Sequence, residues 1–172
     1  MNDEPVKLHA AFDARPDDVF MALTDQDLIR KWSGQEAVFE RKVGGQFTMF
    51  DRWTTGQVLD FKPPRLVSYS WLVADWPEDS SPSIVIISLK NQGKKTMVEL
   101  IHHGFPNETE KESHRTGWTE NVFGPMKEFL EHRKKRPGVK KKVLKTKRGV
   151  KKAVKKAAKK KLVKKRASSK VS

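Results

Sequence analysis

Residues 117–135, GWTENVFGPMKEFLEHRKK, lie just before the point where the chain changes from a mixed to a strongly basic sequence. Large apolar residues recur there at steps of three and four, which predicts a helix with one broad apolar face. The residues on that face are Trp118, Val122, Phe123, Met126, Phe129 and Leu130. Gly124-Pro125 removes one helical hydrogen bond and predicts a kink midway. Such a helix requires a large concave partner, which we expect the upstream sequence to supply.

Basic charge is concentrated at the end of the chain. Twenty Lys or Arg and no Asp or Glu lie from Lys134 to Ser172, whereas residues 1–133 hold sixteen basic and twenty-one acidic residues, a net charge of −5. The overall charge of +15 therefore combines a mildly acidic part with a strongly basic one. We predict a folded domain at residues 1–136 and a disordered Lys-rich tail at residues 137–172.

Composition excludes several classes of chemistry. The chain has no cysteine, which excludes disulfides, thiol nucleophiles and thiolate metal sites. The first residues, MNDEPVKLHA, lack the basic and apolar segments of a secretion signal, and no apolar run approaches membrane-spanning length. We therefore expect a soluble, cytoplasmic protein without a membrane span.

The sequence before the final helix predicts two short helices and a series of strands. Residues 6–10 alternate between apolar and polar side chains, which predicts a first strand of about seven residues. Pro16 suits the first position of a helix, and either Thr24 or Asp25 suits the cap of a second helix that ends near Trp32.

Strand patterns separated by Gly and Pro turns then follow from residue 37 onward. The segments are AVFERKV, QFTMFD, GQVLDF, RLVSYSWLV, IVIISL and TMVELIHH. Gly104, Pro106 and a polar helix entrance at Asn107–Thr109 follow the last of them. These patterns predict an α+β domain in which a strongly curved antiparallel sheet wraps around the long C-terminal helix.

Four separated segments resemble, in the same order, the family named for the activator of the heat-shock protein 90 ATPase, within the START-like, SRPBCC superfamily. They are FDARPDDVFMALTDQDLIRKWSG (12–34), VGGQFTMFDRWTTGQVLDFKPPRLVSYSW (43–71), HHGFP (102–106) and GWTENVFGPMKEFLE (117–131). The resemblance implies the helix-grip fold, in which the sheet and the long helix enclose a cavity. It does not imply a single activity, because that superfamily includes lipid carriers, cyclases and chaperone cofactors.

Aromatic residues from different elements are expected to meet near that cavity. Large rings with one polar edge suit a pocket for an apolar ring or an acyl chain, although they also suit a packed core. The candidate ligand-binding residues are Trp32, Phe47, Met49, Trp53, Tyr69, Trp71, His102, Trp118 and Val122. Trp53 and Trp71 are the pair that we most expect to line the pocket.

No known catalytic or metal-binding motif is present in the sequence. None of the five histidines has metal-ligand spacing. His102 shares strand parity with Val98 and Leu100, so it either contacts a ligand in the cavity or ends the strand as a hydrogen-bonded residue. The acidic residues at the helix starts, Asp17-Asp18 and Glu110/Glu112, are expected to be solvated caps. We predict no catalytic residue, no metal and no cofactor.

The tail resembles, in composition, the C-terminal tails of linker histones. Its clustered cations can contact DNA or RNA phosphates without reading sequence. The predicted contacts are Lys140, Lys141, Lys142, Lys151, Lys152, Lys155, Lys156, Lys159, Lys160, Lys161, Lys164, Lys165 and Arg166. Two alternatives are that the tail binds anionic membranes or that it only keeps the protein soluble. The tail contains no aromatic residue, and this absence disfavours insertion into a membrane surface.

The sequence therefore predicts a non-enzymatic domain that binds a small hydrophobic ligand and is tethered to nucleic acid by its tail, with the nucleoid as one place where it would act. Two alternatives stay open. The first is a chaperone ATPase activator, which the family resemblance implies. The second is an enzyme that acts on a small hydrophobic substrate in the cavity.

Overall fold

Alternating apolar and polar residues build seven antiparallel strands in residues 4–135, the part of the chain that the computed structural model describes. The strands are β1 (Val6–Phe12), β2 (Val38–Phe39), β3 (Gln46–Met49), β4 (Thr54–Lys62), β5 (Leu66–Val73), β6 (Ser83–Gln92) and β7 (Lys95–His103). They form one sheet in the order β1-β7-β6-β5-β4-β3-β2. The predicted tail, and its boundary at residue 137, lie outside the described residues.

The inner face of the sheet carries most of the core. In β5, Val67, Tyr69, Trp71 and Val73 are buried, as the alternation in the sequence predicts. Gly56 in β4 is needed beside them, because a Cβ at this position would collide with the Ser70 carbonyl oxygen.

Two short helices follow β1. Helix α1 (Pro16–Thr24) begins with proline at its first position and buries Val19, Phe20 and Leu23. Helix α2 (Gln26–Ser33) is capped by Asp25, whose side chain accepts a hydrogen bond from the Leu28 N–H at 3.0 Å. Pro16 at the first position of α1 confirms one predicted start, and Asp25 is the one of the two cap candidates that begins α2.

The long C-terminal helix starts at the predicted polar entrance, Asn107–Thr109. It begins at α3 (Glu108–Gly117), continues through a π-helical turn (Trp118–Phe123) and ends with α4 (Gly124–Lys134). The apolar periodicity from residue 117 onward identified its later part. Residues 108–117 are largely polar, and this first part is capped by Asn107.

The predicted disturbance at Gly124-Pro125 takes the form of the π-helical turn. Proline lacks an N–H and its ring crowds the carbonyl four residues earlier, so a regular α-helix is unfavourable there. The wider turn changes the hydrogen-bond register, and the Gly124 N–H donates to the Thr119 carbonyl instead.

The apolar face of this helix packs against the sheet. Met126 and Leu130 are buried, and the Phe123 ring meets the Phe12 ring of β1 edge to face at 5.9 Å between centroids. The architecture is therefore the predicted α+β helix-grip fold. No helix within residues 4–135 is long and apolar enough to cross a membrane.

Candidate ligand cavity

A cavity of about 600 Å³ lies between the long helix and the sheet and opens to the surface. Its walls come from the end of α2, the β3–β4 loop, β5 and the long helix. The lining residues are Ser33, Gln35, Phe50, Trp53, Trp71, Ser113, His114, Gly117, Trp118, Asn121, Val122 and Pro125. Its size is within the range of pockets that hold small molecules.

The long helix supplies two adjacent rows of lining residues at four-residue steps. Ser113, Gly117 and Asn121 form a small and polar row, while His114, Trp118 and Val122 form a larger one. Gly117 leaves room along this wall, because a Cβ at this helical position would meet only the Asn121 side-chain nitrogen, at 3.8 Å.

The opposite rim is a left-handed turn in the β3–β4 loop. Phe50, Asp51 and Arg52 have φ angles of 57°, 57° and 69°, which are unfavourable for residues other than glycine. The Asp51 carboxylate holds this turn by accepting a hydrogen bond from the Glu36 backbone N–H at 2.8 Å. The turn places the Phe50 and Trp53 rings at the cavity.

His102, in β7, forms a fully buried hydrogen-bonded group behind the cavity wall. Its Nδ1 accepts a hydrogen bond from the Trp118 indole N–H at 3.0 Å, and its Nε2 lies 2.8 Å from the Ser83 hydroxyl oxygen. Because the Ser83 hydroxyl donates to the Trp71 carbonyl, the proton between Ser83 and His102 must belong to His102 Nε2. Burial lowers the pKa of His102 to about 2, so the ring is neutral.

His114, in α3, has the opposite tautomer. Its Nε2 accepts a hydrogen bond from the Trp71 indole N–H at 3.1 Å, so its Nδ1 carries the proton and donates to the Glu110 carbonyl at 2.8 Å. Burial lowers the pKa of His114, although contacts with Glu110 oppose this effect. The two histidines therefore fix the indoles of Trp71 and Trp118.

The remaining indoles at this end of the fold are also held. Trp53 donates to the Asp75 carboxylate at 3.1 Å, and its ring stacks on His114 at 5.7 Å between centroids. Trp76 donates to the Glu110 carboxylate at 2.8 Å. The rings beside the cavity thus have fixed orientations rather than free rotation.

Both nitrogens of each buried histidine are occupied by protein partners. Neither ring therefore presents a free lone pair to the cavity as a base or a metal ligand. In residues 4–135, no group of three or more His, Asp or Glu side chains is arranged to hold a metal ion.

The structure brings together four of the nine predicted ligand-binding residues. Trp53, Trp71, Trp118 and Val122 line the cavity. The other five are buried away from its wall: Trp32, Phe47, Met49, Tyr69 and His102. Phe47 and Tyr69 pack on each other with centroids 4.8 Å apart, while the Trp32 indole donates to the Ala22 carbonyl.

Sequence reasoning missed several residues of the site. His114 stands four residues before Trp118, and continuing the helical periodicity back toward the predicted entrance at Asn107–Thr109 would have placed it on the wall. Glu110, expected to be a solvated cap, instead binds Trp76, so that expectation was wrong. Phe50 and Trp76 lie in loops, where periodicity gives no signal.

Residues 13–131 match the family model of the Activator of Hsp90 ATPase homolog 1-like protein, which covers well over half of the chain. The chain therefore belongs to this family of helix-grip, SRPBCC-type domains, as the resemblance in its sequence indicated.

Curated relatives include activators of the 90 kDa heat shock protein ATPase. Homolog 1 is 27% identical in Mus musculus over 72% of this chain and 26% identical in Homo sapiens over the same share. In both cases the match spans only 36% of the relative's length.

Solved structures share the fold. An HSP90 activator from Plasmodium falciparum superposes with a TM-score of 0.67 at 24% identity, over 74% of this chain and 96% of the other. CalU16 from Micromonospora echinospora superposes with a TM-score of 0.62 at 26% identity, over 76% of this chain and 78% of the other. The Aha1 dimer from Colwellia psychrerythraea gives 0.63 at 21% identity, over 74% and 96%.

The two buried neutral histidines predict a pH-dependent stability. Their lowered pKa values mean that below about pH 6.5 the unfolded chain binds more protons than the folded protein. Stability should therefore be retained above pH 6.5 and fall as the pH drops toward 5, by up to about 1.4 kcal/mol per pH unit for His102, with a contribution of the same sign from His114.

Urea denaturation at pH 7.5, 6.5, 5.5 and 5.0 measures this slope. His102→Gln serves as the matched variant, because an amide can accept from Trp118 and donate to Ser83 without titrating. Its slope should be shallower than that of the unsubstituted protein. A free energy of unfolding that stays constant from pH 7 to 5 would contradict the assignment.

Proposed function

We propose that this protein binds a small, largely apolar molecule in the cavity beneath the long helix, without catalysing a reaction on it. The observation that carries this proposal is the cavity itself: about 600 Å³, with three indole rings on its wall and no ionised side chain among its described lining residues. Apolar walls with a few polar groups are typical of small-molecule sites.

The chemistry of the lining residues supports binding rather than turnover. Ser33 and Ser113 are the hydroxyls on the wall. Activating either of them as a nucleophile requires an adjacent base, and both nitrogens of His114 are already engaged. The alternative of an enzyme that uses His102 has less support, because His102 lies behind the wall and its nitrogens are also engaged.

A second candidate function is activation of a chaperone ATPase, which the names of the curated relatives favour. Those relatives are much longer, and the match spans 36% of their length. The test is the ATPase rate of a 90 kDa heat shock protein from the same host, with and without a stoichiometric amount of this protein. Stimulation would support this function, and an unchanged rate would reject it.

We also propose that the Lys-rich segment after residue 136 holds the domain on nucleic acid. The support is the contrast between a net charge of −5 for residues 1–133 and twenty cations beyond them. The acidic part should be repelled by phosphates, so the cavity would be presented away from the polymer while the basic segment concentrates the protein on it.

The ligand proposal predicts that filling the cavity prevents binding. Gly117→Leu adds a side chain at a helical position with open space, and should remove the bound molecule while the fold is kept. Native mass spectrometry of protein purified from its own host should show an apolar small molecule on the unsubstituted chain and none on the variant.

Thr116→Leu is the matched control, because it adds leucine to an exposed position on the same helix. It should retain the molecule. Absence of any bound molecule on the unsubstituted chain, together with no uptake of added apolar compounds, would contradict the ligand proposal.

The nucleic-acid proposal predicts a steep dependence on salt. If about six to ten phosphates of duplex DNA are contacted, affinity should fall by roughly 10³ to 10⁵ between 50 and 200 mM salt. Duplex DNA of any sequence should bind, and a chain truncated after Arg133 should not. Equal affinity of the truncated chain, or an affinity that barely changes with salt, would refute the tether.

A further inference from the structure

We infer that the cavity selects a flat aromatic molecule that carries no negative charge, in preference to an acyl chain or an anion. This inference rests on the proposed ligand binding and names the chemical class of the ligand. Three properties of the wall lead to it: the fixed rings, the distribution of charge and the free polar groups.

The rings form a continuous aromatic surface. Between ring centroids, Trp71 lies 5.1 Å from Trp118 and 6.3 Å from Trp53. The centroid of the Phe50 ring is 6.4 Å from those of Trp53 and Trp71. Each indole N–H group donates to a protein partner. Trp71 donates to His114, Trp118 to His102 and Trp53 to Asp75.

A rigid aromatic surface favours another aromatic ring over a flexible chain for two reasons. Ring faces and edges interact through their quadrupoles, which an alkyl chain lacks. A planar ligand also loses little conformational freedom on binding, whereas each immobilised rotor of an acyl chain reduces its affinity. The wall therefore discriminates between aromatic and aliphatic molecules of the same size.

The charges near the cavity oppose an anionic ligand. None of the described lining residues is Lys or Arg, so a carboxylate would lose its hydration without gaining an ion pair. Three carboxylates contact residues of the wall. Asp75 bonds to the Trp53 indole, the Gln35 amide donates to Asp51, and a Glu110 carboxylate oxygen lies 3.7 Å from His114 Nδ1.

Free polar groups at the open side complete the site. Within residues 4–135, the Asn121 amide and the Ser113 hydroxyl have no hydrogen-bond partner in the protein, and both residues are exposed at the rim. They lie on one row of the long helix, two turns apart. A neutral polar group on one edge of an aromatic ring, such as an amide, hydroxyl or ketone, can form a hydrogen bond with one of these two residues.

Three probes separate these properties. 2-Naphthamide combines an aromatic ring with a neutral polar edge, 2-naphthoate replaces the amide by an anion, and undecanamide replaces the rings by an alkyl chain with the same number of carbon atoms. Ligand-observed NMR titrations with the full-length protein at pH 7.5 give the affinities. We expect 2-naphthamide to bind at least tenfold more tightly than either of the other two, and Gly117→Leu to abolish its binding while Thr116→Leu retains it.

Each failure has a distinct meaning. Equal binding of 2-naphthoate would overturn the preference against anions, and equal or tighter binding of undecanamide would overturn the preference for rings. Either result leaves the proposed ligand binding intact. If none of the three probes binds, or if Gly117→Leu leaves their binding unchanged, the inference and the assignment of this cavity as a binding site are both overturned.

Discussion

Two hydrogen bonds from indole N–H groups to neutral imidazoles tie the long helix to the sheet. Trp118 of the helix donates to His102 of β7, and Trp71 of β5 donates to His114 of the helix, so each side provides one donor and one acceptor. All four residues are buried. Loss of one partner would leave a buried polar group unsatisfied, at a cost of about 1–3 kcal/mol, so the helix position, the ring orientations and both tautomers depend on one another.

The same bonds determine what the cavity offers to a ligand. Because the indole N–H groups and the imidazole nitrogens bond to protein, their ring surfaces remain as an apolar wall, and the unpaired polar groups lie at the rim on Ser113 and Asn121. The left-handed turn at Phe50–Arg52 adds the opposite edge. The unfavourable backbone conformation of this turn, held by Asp51, places Phe50 and Trp53 at the opening. Strained backbone conformations of this kind are often found at binding sites.

Much of this arrangement follows from sequence periodicity. Strand parity placed Tyr69, Trp71 and His102 on the inner face, and the helical pattern after residue 117 identified Trp118 and Val122. Strand parity cannot tell which inward-facing residues line the cavity and which are buried in the core, because that depends on how much space the neighbouring rings fill. Tyr69 and His102 were therefore assigned to the ligand site, but they lie behind its wall. The left-handed turn at residues 50–52 contains no glycine, so no signal in the sequence predicts it.

The tautomers of the two buried histidines provide the most direct test of the indole–imidazole bonds. Long-range ¹H–¹⁵N correlation NMR on ¹⁵N-histidine-labelled protein distinguishes protonated from unprotonated ring nitrogens. At pH 7 we expect two neutral rings of opposite type, with the proton on Nε2 of His102 and on Nδ1 of His114. His102 should still be neutral at pH 5. The same tautomer at both sites, or a His102 imidazolium at pH 5, would contradict the indole–imidazole bonds on which the cavity depends.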